Sequence, residues 1–455
     1  MSGTSRPAEQ VDLLVVGGGM AGLTAAARAT RAGVRVLVVD IAPQVGGTAR
    51  YAGVAWSAPT REVIDRAIPN SVPELRHVVV DDLAEGLAWI RSVGVELGDP
   101  MDVLDFGRGH RFDTNHYLDA CVRIVEDGGG QVWTRTEVVA LVQDGPASGP
   151  VEGPAPVRGA LLRRQDGSDL QVEAPWVLLS TGGFQGDPDL RAAYVHPHAR
   201  DIQVRSNPFS AGAGYRLGRA AGAGVVGDDA GFYGHLVPAG VPFAGPEDFL
   251  PLSLMYSEHG LLFNLRGERF TDESAGDHLS TMALLEQPEA RGLLIADARV
   301  HRDWVTKAYV AGSVSLDRFA LASRRGARAG VADEVDELAF LPEEWGYPGE
   351  AIAAAVQDHN RRLRAGERVV PDRARDRTPL VEGPYYVLEC APAITFPFHG
   401  LRIDTSARVL DPAGRAVPGL LCAGADSGGV YHRAYAGGLA NALTFAGRAV
   451  RTVLA

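Results

Sequence analysis

The chain has 455 residues and a formal net charge of −12, and hydrophobic residues make up 46% of it. A chain of this length usually forms two domains, each with its own core. No apolar run approaches the roughly 20 residues that cross a bilayer. The acidic balance argues against a nucleic-acid partner, because binding to phosphates depends on basic residues. We therefore expect a soluble globular protein with no membrane span.

The cysteines and the first residues indicate the compartment. Cys121, Cys390 and Cys422 lie far apart and form no C-x-x-C pair, so the sequence indicates neither a disulfide framework nor a zinc site. The first ten residues, MSGTSRPAEQ, lack the basic start and apolar middle of a secretory signal. These features predict a cytoplasmic location.

A β-α-β unit begins near the amino terminus. Residues 11–16 (VDLLVV) are apolar, rich in β-branched side chains and followed by Gly17, which is typical of a buried parallel strand. The alanine-rich stretch 22–32 favours a helix that packs closely on a sheet. Residues 34–40 (VRVLVVD) predict a second strand that ends in Asp40.

The turn between the first strand and the helix has the spacing of a dinucleotide fingerprint. Gly17, Gly19 and Gly22 stand at its first, third and sixth places, where a tight turn, close approach to pyrophosphate and close helix packing require glycine. Asp40 follows 18 residues after Gly22, where a carboxylate can accept from ribose hydroxyls. Glycine-rich turns are common, but the flanking strand, helix and acidic residue favour a bound dinucleotide over a structural turn.

The remainder of the chain divides into three parts. Two β-rich passages, 131–142 and 170–180, flank a Gly/Pro-rich connection at about 144–156 that we interpret as a surface loop. A long middle region of mixed charge contains helical stretches, the clearest at 351–363, and is interpreted as a separate lobe. The last part returns to strands and glycine turns and ends in a predicted helix at 438–455.

Several distant glycine-rich segments carry a resemblance to one flavoprotein family. They are 46–50 (GGTAR), 180–184 (STGGF), 210–214 (SAGAG), 419–429 (GLLCAGADSGG) and 436–440 (AGGLA). With the fingerprint, they resemble the family that contains fumarate reductase, tricarballylate dehydrogenase and 3-ketosteroid Δ1-dehydrogenase, over nearly the whole chain. The resemblance implies an α/β fold: a Rossmann-like FAD-binding domain, with a parallel sheet and helices, at 1–233 and 385–455, and an inserted α+β capping domain for the substrate at 234–384.

The resemblance also implies how FAD is held. The N-terminal unit would hold the ADP half, and Thr48 and Ala49 would approach flavin N5. Asp426 stands where the family usually has glutamate near the ribityl chain; a surface turn is the alternative. No His-Thr dyad for covalent attachment is found, so we expect non-covalent FAD. The candidate FAD-binding residues are Gly17, Gly19, Met20, Ala21, Gly22, Asp40, Gly47, Thr48, Ala49, Val138, Thr181, Gly182, Gly183, Gly424, Asp426, Gly438 and Ala440.

Members of that family move a hydride between flavin N5 and the carbon β to a carbonyl or carboxylate, while a proton moves at the α carbon. This reaction requires a group that polarises the carbonyl, a proton carrier and a lid. The implied function is desaturation of a small carbonyl or carboxylate compound with an unidentified electron acceptor. The alternatives are an ene-reductase running the reverse reaction with an external donor and a low-turnover flavin-binding electron-transfer protein. A plain NAD-dependent dehydrogenase would be colourless.

Six residues are candidates for the chemistry. Tyr435 is the leading polariser, since the dehydrogenases of the family look tyrosine-like there; a packed aromatic residue is the alternative. The arginine relay of fumarate reductases is missing, and Tyr256 falls where part of it would be. His278 and Asp277 remain as candidates for the proton carrier, and the histidine suits the role better unless it is a solvated histidine at the lid edge. His399 either reaches the substrate or is structural, and Arg433 is a candidate carboxylate clamp.

Overall fold

The computed structural model describes residues 9–144, 153–308 and 315–455, and the chain divides into two compact units. Unit 1 comprises Met1–Val195, Ser206–Phe232 and Phe396–Ala455, and unit 2 comprises His196–Arg205 and Tyr233–Thr395. Residues 1–8 of the polar start and 145–152 of the predicted surface loop lie outside the described residues. Among the described helices, none combines the length and apolar character that crossing a membrane requires.

The strands of the described residues are mostly short. They are β1 (Glu9–Gln10), β2 (Leu13–Val16), β3 (Val36–Val39), β4 (Val54–Ser57), β5 (Pro100–Val103), β6 (Gly107–Arg111), β7 (Gln131–Trp133), β8 (Glu137–Gln143), β9 (Val157–Arg163), β10 (Asp169–Glu173), β11 (Trp176–Leu179), β12 (Gln203–Val204), β13 (Val225–Val226), β14 (Phe232–Pro238), β15 (Leu261–Asn264), β16 (Gly292–Ala296), β17 (Ala329–Ala332), β18 (Tyr385–Pro397), β19 (Gly400–Leu401), β20 (Arg408–Leu410) and β21 (Ala416–Cys422).

The α-helices of the described residues connect these strands. They are α1 (Met20–Arg31), α2 (Arg61–Ala67), α3 (Pro73–Asp81), α4 (Leu83–Ser92), α5 (Thr114–Asp127), α6 (Pro188–Tyr194), α7 (Ala213–Ala220), α8 (Asp277–Leu285), α9 (Ala298–Val300), α10 (Arg318–Arg324), α11 (Gly349–Arg364) and α12 (Gly438–Leu454). The helices predicted at 22–32, 351–363 and 438–455 are confirmed as α1, α11 and α12.

A six-stranded sheet forms the centre of unit 1, in the order β20-β21-β11-β2-β3-β7. The strands from β21 to β7 are parallel, and β20 is antiparallel. All residues of β2 and β3 are buried, because their apolar side chains are covered on both faces, as in other parallel sheets. The predicted β-α-β unit is therefore confirmed. The carboxyl ends of β2, β3, β11 and β21 lie along one sheet edge, where open α/β sheets bind ligands.

Both β-rich passages of unit 1 divide between two sheets. In the passage 131–142, β7 belongs to the central sheet and β8 to a four-stranded sheet with the order β1-β10-β9-β8. In the passage 170–180, β10 belongs to that second sheet and β11 to the central one. The first change occurs at Arg135, which has a positive φ of 51°. The second occurs at Pro175, which has no N–H to continue a ladder.

Unit 2 is built on a sheet in which β18, 13 residues long, pairs with four other strands. Adjacent residues of its strands pack into different apolar clusters: Leu262 and Leu294 belong to one, and Leu261 and Leu293 to the other. Since successive side chains of a strand point to opposite faces, the two clusters cover opposite faces of the sheet. Helix α11 contributes Ile352, Ala353 and Val356 to the second cluster.

A buried ion network in unit 2 surrounds Glu273, whose side chain is 0% exposed. Its carboxylate accepts hydrogen bonds from the Leu262 N–H and from the guanidinium groups of Arg269 and Arg373. The two arginine side chains are 5% and 1% exposed. Both buried cations therefore share this carboxylate.

We expect Glu273→Gln to lower the free energy of unfolding by about 3–5 kcal/mol, since it removes the negative charge to which both buried guanidinium groups are hydrogen-bonded. The matched control is Glu268→Gln, whose partner Arg266 and own side chain are 63% and 60% exposed. This control should cost under about 1 kcal/mol. Urea unfolding followed by circular dichroism measures both, and equal midpoints for the two variants would contradict the role of the network.

Candidate functional site

The glycine turn after β2 combines close packing with open space. Gly17 has a φ of +100°, and a Cβ on Gly22 would lie 2.0 Å from the Gly17 carbonyl oxygen. A Cβ on Gly19 would have no atom of the described chain within 4 Å. The outer glycines thus permit contact between helix and strand, whereas Gly19 leaves space at the amino terminus of α1, where N–H groups and the helix dipole attract phosphate.

Asp40, at the end of β3, braces this turn. Its carboxylate accepts hydrogen bonds from the Gly18 N–H at 2.7 Å and the Ala42 N–H at 2.8 Å. Burial raises the pKa of Asp40. An ionised carboxylate has about four acceptor positions, so these two bonds leave capacity for ribose hydroxyls. The Thr136 N–H donates to the Asp40 carbonyl oxygen, so the segment that leads to Val138 lies beside Asp40. Val138 is 9% exposed.

The loop after β11 is held by Asp426. This side chain is 1% exposed, so the alternative of a surface turn is wrong. Its carboxylate accepts from the N–H and hydroxyl of Thr181 and from the Gly183 N–H at 2.9 Å. Burial raises the pKa of Asp426. The Thr181 hydroxyl oxygen also accepts from the Gly214 N–H. Contact of Asp426 with the ribityl chain stays a prediction.

The segment around Thr48 and Ala49 lies against the glycine turn. The Gly46 N–H donates to the Gly18 carbonyl at 2.7 Å, and a Cβ on Gly47 would lie 3.6 Å from the Gly19 Cα. The Thr48 hydroxyl accepts from the Asn207 N–H at 3.2 Å, and Ala49 is buried. The segments predicted to hold the phosphates and to approach N5 are therefore neighbours in unit 1.

The glycine-rich segment 419–429 also lies against the first turn of α1. A Cβ on Gly424 would lie 3.2 Å from the Cβ of Ala21, on the first turn of α1. Asn441, on the first turns of α12, donates to the Gly424 carbonyl at 3.5 Å, and its buried Oδ1 has no partner within the described chain. Three features fit a dinucleotide cofactor. They are the unpaired Oδ1 of Asn441, the space over Gly19, and the amino termini of α1 and α12. Gly438 begins α12, Ala440 lies in its first turn, and Met20 begins α1.

Tyr435 lies beside the start of α12 and is 9% exposed. Its phenol oxygen accepts a hydrogen bond from the Gly438 N–H at 2.7 Å. Its ring makes an edge contact with Trp56, with 5.4 Å between the ring centroids, and also contacts Phe396 and Tyr431. The hydroxyl is thus fixed at a helix amino terminus, where it can stabilise negative charge on an oxygen.

Arg433 is 48% exposed and is held by a neighbouring loop. Its φ is 47°, its N–H donates to the Ala230 carbonyl at 2.7 Å, and its Nε donates to the Asp229 carbonyl at 3.0 Å. The Asp229 carbonyl oxygen therefore positions the guanidinium, and the Ala230 carbonyl oxygen holds the backbone of Arg433. Its role as a carboxylate clamp stays a prediction.

His399 is 1% exposed and lies in an aromatic cluster of unit 1. Its Nε2 is 3.2 Å from the Tyr215 hydroxyl, and its ring stacks on Tyr194 with 4.5 Å between centroids. Burial lowers the pKa of His399. These contacts suit a structural histidine, and contact with a substrate remains a hypothesis.

The remaining candidates belong to unit 2. His278 is 6% exposed on the first turn of α8, so the alternative of a solvated histidine is wrong. Tyr256 is 3% exposed and packs in the apolar cluster that contains Leu262 and Leu294. Its catalytic role stays a prediction. The described ranges contain no group of three His, Cys, Asp or Glu side chains arranged to hold a metal.

Sequence reasoning named Asp277 but missed the polar chain of unit 2 to which it belongs. His235 on β14 contacts Tyr233 on the same strand and Asp277 on α8. The i, i+2 spacing of Tyr233 and His235 is a local signal, but nothing in the sequence pairs His235 with Asp277, which is 42 residues away.

Comparisons with known proteins identify the relatives of this chain. A family model described as "FAD binding domain" matches residues 12–441. The probable fumarate reductase Ifc3 of Shewanella frigidimarina is 26% identical, over 96% of this chain and 74% of the relative. Crystallised 3-ketosteroid delta1-dehydrogenase from Sterolibacterium denitrificans superposes with a TM-score of 0.78 at 18% identity, covering 98% of this chain and 99% of its own. An open flavocytochrome c3 fumarate reductase gives 0.71 at 22% identity, covering 98% and 78%.

Two glycine variants separate packing from cofactor binding. Gly22→Ala should lower the free energy of unfolding by about 1–3 kcal/mol, since its methyl group meets backbone. Gly19→Ala without flavin should unfold like the flavin-free wild type but should retain less flavin, because the methyl group occupies the space over the helix terminus. Thermal unfolding and the flavin-to-protein absorbance ratio measure these effects. A Gly19→Ala protein with full flavin content would refute the assignment.

Proposed function

The chain belongs to the FAD binding domain family, and on this premise we propose that it desaturates a small carbonyl or carboxylate compound between the α and β carbons. It is an FAD-dependent oxidoreductase that acts on CH–CH bonds. When bound, FAD takes up or gives back the hydride of the β carbon. The protein has to supply the rest: binding of the cofactor, polarisation of the substrate oxygen and movement of the α proton.

The observation that carries the proposal is the setting of Tyr435. Removal of an α proton places negative charge on the carbonyl or carboxylate oxygen, and a fixed donor lowers the energy of that state. The Tyr435 oxygen accepts from Gly438, which strengthens the hydroxyl as a donor. The amino terminus of α12 adds a partial positive charge beside it. We assign Tyr435 as the polarising residue and keep Arg433 as a candidate carboxylate clamp.

FAD binds without a covalent bond in this proposal. The ADP half would lie over Gly19 at the start of α1, with Asp40 toward the ribose, and Gly47, Thr48 and Ala49 would border the flavin ring. Non-covalent binding is supported by the absence of a His-Thr dyad from the sequence. Flavin that stays with acid-precipitated protein would contradict it.

The reverse reaction is the second candidate. It is favoured by the relatives in the sequence comparison, among them fumarate reductases and the urocanate reductase of Eggerthella lenta, which is 24% identical over 92% of this chain and 70% of its own length. In that direction the same residues would serve reduction of a C=C bond by an external donor.

The cytoplasmic location that the sequence predicts also remains part of the proposal.

Anaerobic mixing distinguishes the two directions. The oxidised protein is mixed with succinate, propionate or 4-androstene-3,17-dione, and the dithionite-reduced protein with fumarate, acrylate or 1,4-androstadiene-3,17-dione. Desaturation predicts bleaching of the flavin absorbance by a saturated compound. Bleaching by none, with reoxidation by an unsaturated compound, would instead establish reduction. If neither mixture changes the flavin spectrum, the low-turnover electron-transfer alternative is favoured.

Tyr435→Phe removes the proposed donor and keeps the ring. We expect turnover to fall at least about 100-fold, the usual cost of losing a donor to a developing oxyanion. Flavin content and unfolding temperature should stay as in the wild type. Tyr386→Phe is the matched control, because Tyr386 stacks on His301 through its ring in unit 2. Equal turnover of both variants would remove Tyr435 from the mechanism.

A further inference from the structure

The hydroxyl of Tyr431 donates to the loop that leads into α12. Its oxygen lies 2.8 Å from the Gly437 carbonyl oxygen and 3.2 Å from that of Ala436. The side chain is 3% exposed, and burial raises the pKa of Tyr431. The hydroxyl therefore keeps its proton at neutral pH and acts as a donor, since a carbonyl oxygen only accepts. The shorter distance makes the Gly437 carbonyl its main acceptor.

The Gly437 carbonyl belongs to the peptide group that contacts Tyr435. The carbonyl of Gly437 and the N–H of Gly438 lie in one planar peptide unit. That N–H donates to the phenol oxygen of Tyr435 at 2.7 Å. The hydroxyl of Tyr431 therefore contacts one end of this peptide group, and the hydroxyl of Tyr435 contacts the other end.

A second donor contacts the same carbonyl. The Asn441 N–H, in the first turn of α12, donates to the Gly437 carbonyl oxygen at 3.1 Å. A carbonyl oxygen has two lone pairs, so it can accept this hydrogen bond together with that of Tyr431. Hydrogen bonds in series polarise one another, so both donors make the Gly438 N–H a stronger donor. The Tyr435 oxygen that accepts from it then carries a more acidic hydroxyl group.

The backbone of Gly437 fixes the orientation of this peptide group. Its φ is +91°, and a Cβ at this position would lie 1.9 Å from the Trp56 carbonyl oxygen, so that only glycine fits there. The rings of Tyr431 and Tyr435 also make an edge contact, with 5.5 Å between their centroids. The two phenols and the peptide group between them thus form one packed arrangement within unit 1.

We propose that Tyr431 is a positioning residue for polarisation of the substrate oxygen, and that it acts on Tyr435 through the peptide group of Gly437 and Gly438. The inference rests on the proposed function, in which Tyr435 donates to the substrate oxygen. Tyr431 orients and polarises the peptide group, and the peptide group strengthens Tyr435 as a donor. This effect grows with the negative charge on the substrate oxygen, so it stabilises the transition state more than the bound substrate.

One nuclear magnetic resonance signal reports both ends of the peptide group. In the FAD-loaded protein with carbon-13 at the glycine carbonyls and nitrogen-15 in glycine, a carbonyl-to-amide correlation spectrum shows only glycines that follow a glycine. The peak that disappears in Gly438→Ala gives the Gly437 carbonyl carbon and the Gly438 amide proton. Tyr431→Phe should move both resonances upfield, because the carbonyl loses a donor and the N–H is less polarised. An unmoved peak would overturn the inference.

Kinetics test whether the peptide group affects the chemistry. With the probe that changes the flavin spectrum, Tyr431→Phe should lower kcat about tenfold, the effect of about one hydrogen bond, and leave KM unchanged. Flavin content should stay as in the wild type. In the Tyr435→Phe background the same substitution should have little further effect, because the residue through which it acts has lost its hydroxyl.

Tyr385→Phe is the matched control for the loss of a buried phenol. Tyr385 is 4% exposed, and its hydroxyl donates to the Leu380 carbonyl oxygen at 3.2 Å in unit 2. This variant therefore also leaves a buried carbonyl without its donor. We expect it to turn over the probe as the wild type does, and to leave the resonances of Gly437 and Gly438 in place.

The outcomes separate this inference from the function on which it rests. Wild-type protein that turns over no probe overturns the proposed function and the inference with it. Wild-type turnover, with Tyr431→Phe within about twofold of it and fully loaded with FAD, overturns the inference alone. A double variant in which the two losses multiply does the same, since the two residues then act independently.

The wild-type spectrum decides if Tyr431→Phe fails to fold. The Gly437 carbonyl carbon and the Gly438 amide proton should then both resonate downfield of the other pairs of adjacent glycines, because each makes a strong hydrogen bond. Ordinary positions for these two resonances would overturn the inference.

Discussion

The candidate cofactor site of unit 1 depends on the hydrogen bonds that the buried carboxylate of Asp426 accepts from Thr181 and Gly183. They connect the loops that follow β21 and β11, and Thr181 and Asp426 are 245 residues apart along the chain. Because Asp426 is fully enclosed, each donor would be left unpaired without it. The loop so fixed also lies against Gly17, whose Cβ position would be 2.4 Å from the Ser180 carbonyl oxygen. One side chain therefore holds the loops after β11 and β21 together.

Local patterns made much of unit 1 predictable. The apolar strands, the glycine turn and the alanine-rich helix each depend on neighbours in sequence, and β2, α1 and β3 appear where the pattern places them. The changes of sheet near Arg135 and Pro175 were not predictable, because a strand pattern does not indicate which sheet a strand joins. The direction of the Asp426 carboxylate depends on the backbone of a distant loop, which the sequence does not reveal.

The candidate catalytic residues also divide into those with contacts local in sequence and those with long-range contacts. The contact between Tyr435 and Gly438 spans three residues, and a tyrosine beside a glycine-edged helix start was visible in the sequence. The pair of His235 and Asp277 joins a strand to a helix across 42 residues, and no local sequence pattern predicts this contact. His278, next to that carboxylate in the sequence, is the candidate that the sequence offers, and its role as proton carrier stays a prediction. Long-range polar pairs are formed by tertiary packing, so sequence reasoning identifies one partner at best.

The three cysteines have a practical consequence for a redox enzyme. All are buried, and burial raises the pKa of Cys121 to about 12 and that of Cys390 and Cys422 above the ordinary range. Thiols that stay protonated and enclosed react slowly with electrophiles. Quinones and similar dyes, which alkylate exposed thiolates, can therefore be used as electron acceptors in long assays without inactivating the protein through its own sulfur atoms.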